Sequence, residues 1–173
     1  APRMSPQRQL EGHLPGVDHG PSCVCRHHPL PEGLTVKEAR DAYLRENGFS
    51  TAGYSAPRTQ GSILGFAVSV PNPPAHQRGI RLHDLVHVAT GFGTDHVGEA
   101  EVSGWQLARG LSGAGAYVGA IVLFNVALGS LLAPRRTWAA LNAGQSGVGS
   151  LFRGEPPYAE LLTWTVGRLR DHL

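Results

Sequence analysis

The sequence predicts a single, mainly α-helical domain. Thr35-Val36-Lys37-Glu38 is a capping-box pattern, which is typical of a helix start. Leu111 to Ala133 is a segment of 23 residues without charge, which is interpreted as a buried helix. Between Tyr158 and Leu169, apolar residues recur with the spacing of a core-facing helical stripe, which predicts one closing helix. A chain of 173 residues can bury a sizeable core without dividing into two domains.

Local start and stop signals predict the remaining elements. The first helix is expected to end at Asn47-Gly48, because these residue types readily adopt the left-handed conformation that ends helices. Ser62 to Val70 is rich in β-branched and aromatic residues and is stopped by Pro71. This composition predicts a brief strand or an extended, buried connector. Pro134 suits the first turn of a helix that continues through Asn142.

The uncharged segment from Leu111 to Ala133 is long enough to cross a bilayer, since about 20 apolar residues suffice. Its apolarity is diluted by glycine, serine and asparagine. A single membrane span would also place the residues before Leu111 and the C-terminal helix on opposite sides of the bilayer. These features favour a buried helix over a membrane span. Its small residues make it the expected wall of a hydrophobic ligand cavity, although core packing alone explains the same composition.

Residues 1–30 predict an irregular leader, followed by the helical domain at residues 31–173. The leader contains both cysteines of the chain, Cys23 and Cys25, with His27 and His28 close behind. A second metal site is disfavoured here, because structural zinc sites usually separate paired cysteines by two to four residues. Such sparse cysteine usage is typical of a reducing cytoplasm.

The net charge of +2 disfavours a nucleic-acid-binding function. The only tight basic cluster is Arg135-Arg136, and such a pair is usually a solvated surface feature. Partners are therefore expected among small molecules and proteins.

Four potential metal ligands recur at a characteristic spacing in the centre of the chain: His83, Asp84, His87 and, after eleven intervening residues, Glu99. In a helix, the two histidines lie one turn apart on the same face, with the aspartate beside them. Gly91-Phe92-Gly93 predicts a break, and Thr94 is the expected N-cap of the next helix. The glutamate would then return across the histidines, which predicts a metal site on a helix-turn-helix.

Two imidazoles with one or two carboxylates suit zinc, and similar sets hold iron or manganese. The spacing differs from the His-Glu-x-x-His helix of metalloproteases, because Asp84 follows the first histidine and the general-base glutamate is missing. Peptide hydrolysis is therefore disfavoured. The alternative without a metal is a histidine pair satisfied by hydrogen bonds. His96 and Glu101 are candidates for proton transfer or ligand orientation, with surface or supporting roles as the alternative.

These residues also carry a family resemblance. The segment Arg81 to His87, followed by Thr90-Gly91, Gly98-Glu99 and Glu101, resembles the bacterial branch of the coenzyme Q (ubiquinone) biosynthesis protein 4 family. The signature of that family is His-Asp-x-x-His, eleven residues and Glu, and the likeness extends from about residue 29 to the C-terminus. It implies a mostly helical fold, a hydrophobic cavity for an isoprenoid tail, and zinc ligands at His83, Asp84, His87 and Glu99.

The resemblance also implies a reaction: removal or replacement of the ring carboxyl group of a prenylated benzoate precursor. Only one of the 15 basic residues is lysine, which is typical of a GC-rich coding genome. Because bacteria of high GC content often use quinones other than ubiquinone, we expect recruitment of such a protein to other aromatic or polyketide chemistry in natural-product biosynthesis. The expected function is thus a metal-dependent enzyme, decarboxylase-like or another lyase, acting on a hydrophobic aromatic, prenylated or polyketide-like molecule.

Two alternatives stay open. In the first, the protein is a non-catalytic scaffold that binds a lipid or quinone intermediate, and the metal is structural. In the second, it is a cyclase of secondary metabolism that directs its reaction by cavity shape. Pathway enzymes and a second copy of the chain are the expected macromolecular partners. The expected location is the cytoplasm, either free or peripheral to the membrane.

Overall fold

The computed structural model describes residues 30–63, 66–146 and 149–173. Its architecture is mainly α-helical, as the sequence predicts, with one two-stranded sheet. The predicted leader, with Cys23 and Cys25, lies outside the described residues apart from Leu30. The elements in chain order are α1 (Val36–Glu46), β1 (Arg58–Ile63), β2 (Phe66–Pro71), α2 (Pro74–Thr90), α3 (His96–Arg109), α4 (Gly115–Leu132), α5 (Pro134–Gln145), α6 (Tyr158–Leu161) and α7 (Val166–His172).

Helix α1 begins at the predicted capping box. The Glu38 backbone N–H donates to Thr35 Oγ1 at 3.2 Å, and the Thr35 backbone N–H donates to Glu38 Oε2 at 2.9 Å. These bonds satisfy backbone donors that have no partner within the helix. The helix ends at Asn47, and Gly48 follows with φ 73°. Both predicted ends of the first helix are confirmed.

The Ser62 to Val70 segment contains strand structure, as the first of the two predicted alternatives has it, although it belongs to two strands and is not a buried connector. It forms the end of β1 and most of β2, which pair antiparallel from Arg58↔Pro71 to Ile63↔Phe66. Since β1 is mostly polar, its sequence gives little strand signal, and the pairing itself satisfies its backbone groups. The hairpin is largely exposed, and Phe66 is 76% exposed.

Helix α3 packs against α4 and α5 through small residues. A Cβ at Gly144 would lie 2.6 Å from the Trp105 carbonyl oxygen, and one at Gly129 would overlap the Ala100 side chain. These close approaches fix α3 within the fold. The hydrophobic core includes residues of α3 and of the other helices. Its fully buried large apolar side chains are Val36, Leu85, Val86, Val88, Val102, Leu161, Val166 and Leu169.

The expectation that α4 is buried is wrong. Its buried positions are Val118, Val122 and Gly129, whereas Leu123 is 54% exposed and Leu131 is 82% exposed. Its small residues allow close packing on one side only, which leaves an apolar stripe on the other. Among the described residues, this helix alone is long and apolar enough to cross a membrane, and 17% of it is buried.

The predicted C-terminal helix is divided into α6 and α7, which corrects the expectation of one continuous helix. Thr165 is the N-cap of α7, where its side chain accepts from the Arg168 backbone N–H. This local bond competes with continuation of the helix, which is why the apolar spacing alone did not reveal the break. Arg170 then donates to the Ala89 carbonyl at 2.9 Å and links α7 to α2. At α5, Pro134 occupies the predicted first turn, and the helix continues to Gln145.

Candidate metal centre

The predicted helix-turn-helix is present in α2 and α3. Helix α2 ends at Gly91, which has a left-handed φ of 74°. The N-cap of α3 is Asp95, not Thr94, because the Asp95 carboxylate accepts from the Gly98 N–H at 2.7 Å. A Cβ at Gly98 would overlap the Gly93 carbonyl. This contact sets the entry of α3 and brings Glu99, in its first turn, back toward α2.

Three of the predicted ligands converge: His83, His87 and Glu99. Their candidate ligand atoms all lie within 4.8 Å of one another. The two Nε2 atoms are 3.0 Å apart. Glu99 Oε2 lies 2.9 Å from His83 Nε2, and Glu99 Oε1 lies 3.4 Å from His87 Nε2. The histidines lie one turn apart on α2, as their spacing predicts, and the carboxylate of α3 spans both rings.

Hydrogen bonds on the far side of each ring fix its tautomer. His87 Nδ1 lies 2.9 Å from the Phe92 carbonyl oxygen, and His83 Nδ1 lies 3.2 Å from Gln106 Oε1. Both partners are acceptors, so each Nδ1 carries a hydrogen, and the lone pair of a neutral ring resides on Nε2. Metal-binding histidines are commonly oriented in this way. Two ring lone pairs and a carboxylate therefore face one point, which suits a cation.

The charges of these groups support each other. Burial disfavours the charged form of His83, but the neighbouring Glu99 carboxylate outweighs burial and raises the pKa of His83 to about 9. Burial also opposes ionisation of Glu99, yet the two histidines hold the pKa of Glu99 well below its usual range. A proton on His83 Nε2 consequently neutralises the metal-free cluster, and a divalent cation would take the place of that proton.

The fourth predicted ligand, Asp84, lies outside this group of three. Its Oδ2 accepts a 2.6 Å hydrogen bond from the Tyr54 hydroxyl, and both side chains are buried. Burial raises the pKa of Asp84, against the opposing effect of that bond, and burial with the nearby Asp84 charge also raises the pKa of Tyr54. The structure thus places Asp84 in a carboxylate–phenol pair beside the histidines.

The two predicted proton-transfer candidates occupy different surroundings. Glu101 is buried, and its carboxylate accepts two hydrogen bonds from Arg136 at 2.8 and 2.7 Å. It therefore links α3 to α5 on the side of α3 largely opposite Glu99. His96 is the first residue of α3 and is half-buried.

Sequence reasoning missed three contributors to the site. Gln106 follows Glu99 by seven residues, which places both on one face of α3, so helical spacing could have identified it. Tyr43 stacks on His87, with ring centroids 5.2 Å apart and an interplanar angle of 22°. Tyr54 comes from a 3-10 turn, Thr51–Ser55, and gives no local signal for its contact with Asp84.

Comparison of the chain with protein-family models, curated proteins and solved structures finds no match. The site is therefore interpreted from its own chemistry. Two histidines with fixed Nδ1–H groups and one carboxylate form a donor set that fits a divalent metal such as zinc or iron.

Proposed function

We propose that the protein is a divalent-metal-dependent enzyme, with His83, His87 and Glu99 as the metal ligands. The observation that carries the proposal is the convergence of both Nε2 atoms and the carboxylate, with both Nδ1 atoms held by acceptors. An oriented set of this kind is typical of metal centres. A histidine pair satisfied only by hydrogen bonds does not require the carboxylate to span both rings.

The number of ligands favours a catalytic site over a closed structural one. Structural zinc sites commonly use four protein ligands, whereas catalytic sites use three and leave a position for water or substrate. Two histidines and one carboxylate also match the facial set of non-haem iron enzymes. Zinc, iron and manganese therefore all remain candidates. Asp84, predicted as a fourth ligand, is instead held by Tyr54.

The resemblance to the coenzyme Q biosynthesis protein 4 family supports a substrate class: a hydrophobic aromatic, prenylated or polyketide-like molecule. Ring decarboxylation, or a related conversion in quinone or natural-product biosynthesis, is the proposed reaction. A bound divalent cation would polarise a carboxylate or carbonyl oxygen of such a molecule.

The residues around the ligands would orient the site and store a proton. Gln106 and the Phe92 carbonyl hold the histidine rings, and Tyr43 covers the His87 ring. The Asp84 carboxylate has a raised pKa and shares a short hydrogen bond with Tyr54, so this pair can hold a proton beside the centre. Because Glu101 is bound to Arg136, we propose a packing role for it and no proton transfer.

The scaffold alternative is favoured by a different observation. The triad connects α2 to α3 across the Gly91 turn, so a bound metal would cross-link the two helices. In that case the metal stabilises the fold, and the protein presents a lipid-like intermediate to pathway enzymes. The exposed apolar stripe of α4 is compatible with peripheral membrane association or with a second copy of the chain.

The test is turnover of prenylated hydroxybenzoates by metal-loaded protein, with products identified by mass spectrometry. We expect activity in the wild type, none in folded His87→Ala, and full activity in Glu46→Ala, an exposed control on α1. Tail-dependent binding without turnover would favour the scaffold. Turnover by folded, metal-free His87→Ala would contradict the enzyme proposal.

A further inference from the structure

A pocket lined by three arginines lies on a different side of α2 from the candidate metal centre. Its volume is about 350 Å³. Arg78 and Arg81 come from α2, and Arg153 comes from the 3-10 turn Leu151–Arg153. With about 3.6 residues per turn, Arg78 and Arg81 lie on a side of α2 largely opposite to the two histidines. The pocket is therefore separate from the candidate metal centre.

No ion pair among the described residues neutralises the arginines of this pocket. None of its lining residues is acidic. Within residues 30–63, 66–146 and 149–173, none of the salt bridges includes Arg78, Arg81 or Arg153. A concave surface lined by charges of one sign concentrates the electrostatic potential and attracts counter-ions. The pocket is thus suited to an anion.

Two of the arginines, Arg78 and Arg81, have their side chains positioned by contacts with other residues. Arg78 Nη2 donates to the Phe152 carbonyl oxygen at 2.7 Å. Gly154 has φ 86°, and a Cβ there would lie 3.3 Å from Arg78 Nη2, so glycine leaves space for the guanidinium group. Arg81 Cζ lies 5.6 Å from the centre of the Tyr54 ring. These contacts reduce the conformational entropy that the arginines would lose on binding a ligand.

The pocket lining also includes a hydroxyl group that can act as a hydrogen-bond donor. The Tyr158 hydroxyl oxygen, in the same lining, accepts from Arg40 Nη1 at 2.9 Å. Its own hydrogen remains able to donate to a ligand.

We propose that this pocket binds a doubly charged oxyanion: the phosphate monoester group of a small ligand or of a lipid headgroup. Planar guanidinium groups match the geometry of phosphate oxygens, and charge-assisted hydrogen bonds are the strong ones in proteins. A volume of about 350 Å³ holds a phosphate and a small attached group. The proposal does not depend on the metal or on the enzyme activity.

The test is isothermal titration calorimetry of the full chain with inorganic phosphate at constant ionic strength. We expect saturable binding with one phosphate per chain. Arg81→Gln and Arg153→Gln should each weaken it by about tenfold or more, because each removes a charge-assisted bond. Arg153 is exposed, so Arg153→Gln keeps the test valid if Arg81→Gln does not fold.

Two control variants make the result specific. Arg135→Gln removes an exposed arginine outside the pocket and should leave phosphate affinity within about twofold. His87→Ala should also leave phosphate affinity unchanged, because His87 lies outside the pocket. If phosphate bound at the metal centre instead, this variant would lose it. Absence of saturable binding would overturn the proposal, as would equal weakening in Arg135→Gln and Arg81→Gln.

Vesicles then distinguish the two sources of the phosphate group. Co-sedimentation with phosphatidic acid vesicles that is lost in Arg153→Gln and retained in Arg135→Gln would assign a lipid headgroup. Binding of inorganic phosphate without vesicle binding would assign a small phosphorylated ligand.

Discussion

Replacing Gln106 with leucine should weaken metal binding without unfolding the protein. Gln106 is buried, and its Oε1 accepts from His83 Nδ1 at 3.2 Å. Leucine has a similar size and cannot accept this bond, so the ring loses the partner that directs its Nε2 lone pair to the metal. A neutral hydrogen bond is worth about 0.5–1.5 kcal/mol, and loss of such supporting partners weakens metal binding by about 10–100-fold. Because 3.2 Å is long for this bond, we expect about tenfold.

The assay is a competition titration of zinc between the protein and a chromogenic chelator, with circular dichroism to verify folding. The matched control is Gln77→Leu, which removes an amide that donates to the Asn72 carbonyl elsewhere on α2. Its zinc affinity should equal that of the wild type. Equal affinities of folded Gln106→Leu and wild type would refute the assigned orientation of His83.

The remaining predictions concern the helix junction, the α3–α5 contact and pH. Gly98→Ala should reduce metal affinity and destabilise the fold by about 1–3 kcal/mol, because its Cβ would overlap the Gly93 carbonyl; unchanged zinc affinity and urea midpoint would exclude this. Glu101→Gln should lower the free energy of unfolding by about 1.5–3 kcal/mol, because it removes the buried charge that accepts from Arg136. The cost stays within this range because Arg136 is 30% exposed and can reach water. An unchanged urea midpoint would contradict this prediction. The pKa of His83, raised to about 9, predicts that this ring is protonated at pH 7 and that zinc binding releases the proton. Because the proton and the metal compete, zinc affinity should fall as pH falls. Calorimetry in buffers of different ionisation enthalpy measures the proton release.

The convergence of the candidate metal ligands on α2 and α3 could be predicted because their geometry is local. An i,i+4 histidine pair shares a helix face in any helix, and Gly91 marks where α2 must end. Glu99 required only that the next helix return after a short turn. The actual N-cap differs by one residue, since both Thr94 and Asp95 are favourable capping residues and only the packing of Gly98 on Gly93 distinguishes them.

The contacts of Asp84 and the exposure of α4 could not be predicted, because both depend on distant elements. Asp84 is held by Tyr54, which lies 30 residues earlier in a 3-10 turn. The composition of α4 is that of a core helix, yet nothing in its sequence tells how many elements will cover it. The side of α4 that carries Asn125 and Gly129 packs on α3.

The β-hairpin was missed for a related reason. Strand β1 has little apolar alternation, and its stability comes from pairing with β2 rather than from its own side chains. The pocket lined by arginines could not be predicted from the sequence either, since Arg153 is brought to α2 by tertiary packing.

The most direct test of the metal centre is elemental analysis of protein purified without added metal. His83→Ala and Glu99→Ala should be measured in parallel, with Glu46→Ala as an exposed control and circular dichroism as the measure of folding. We predict near-stoichiometric divalent metal in the wild type and in Glu46→Ala, and its loss in the two folded ligand variants. Metal loss that occurs only together with unfolding would favour a structural ion. Wild-type protein without metal, or folded ligand variants that retain it, would contradict the assignment of His83, His87 and Glu99 as a functional metal site.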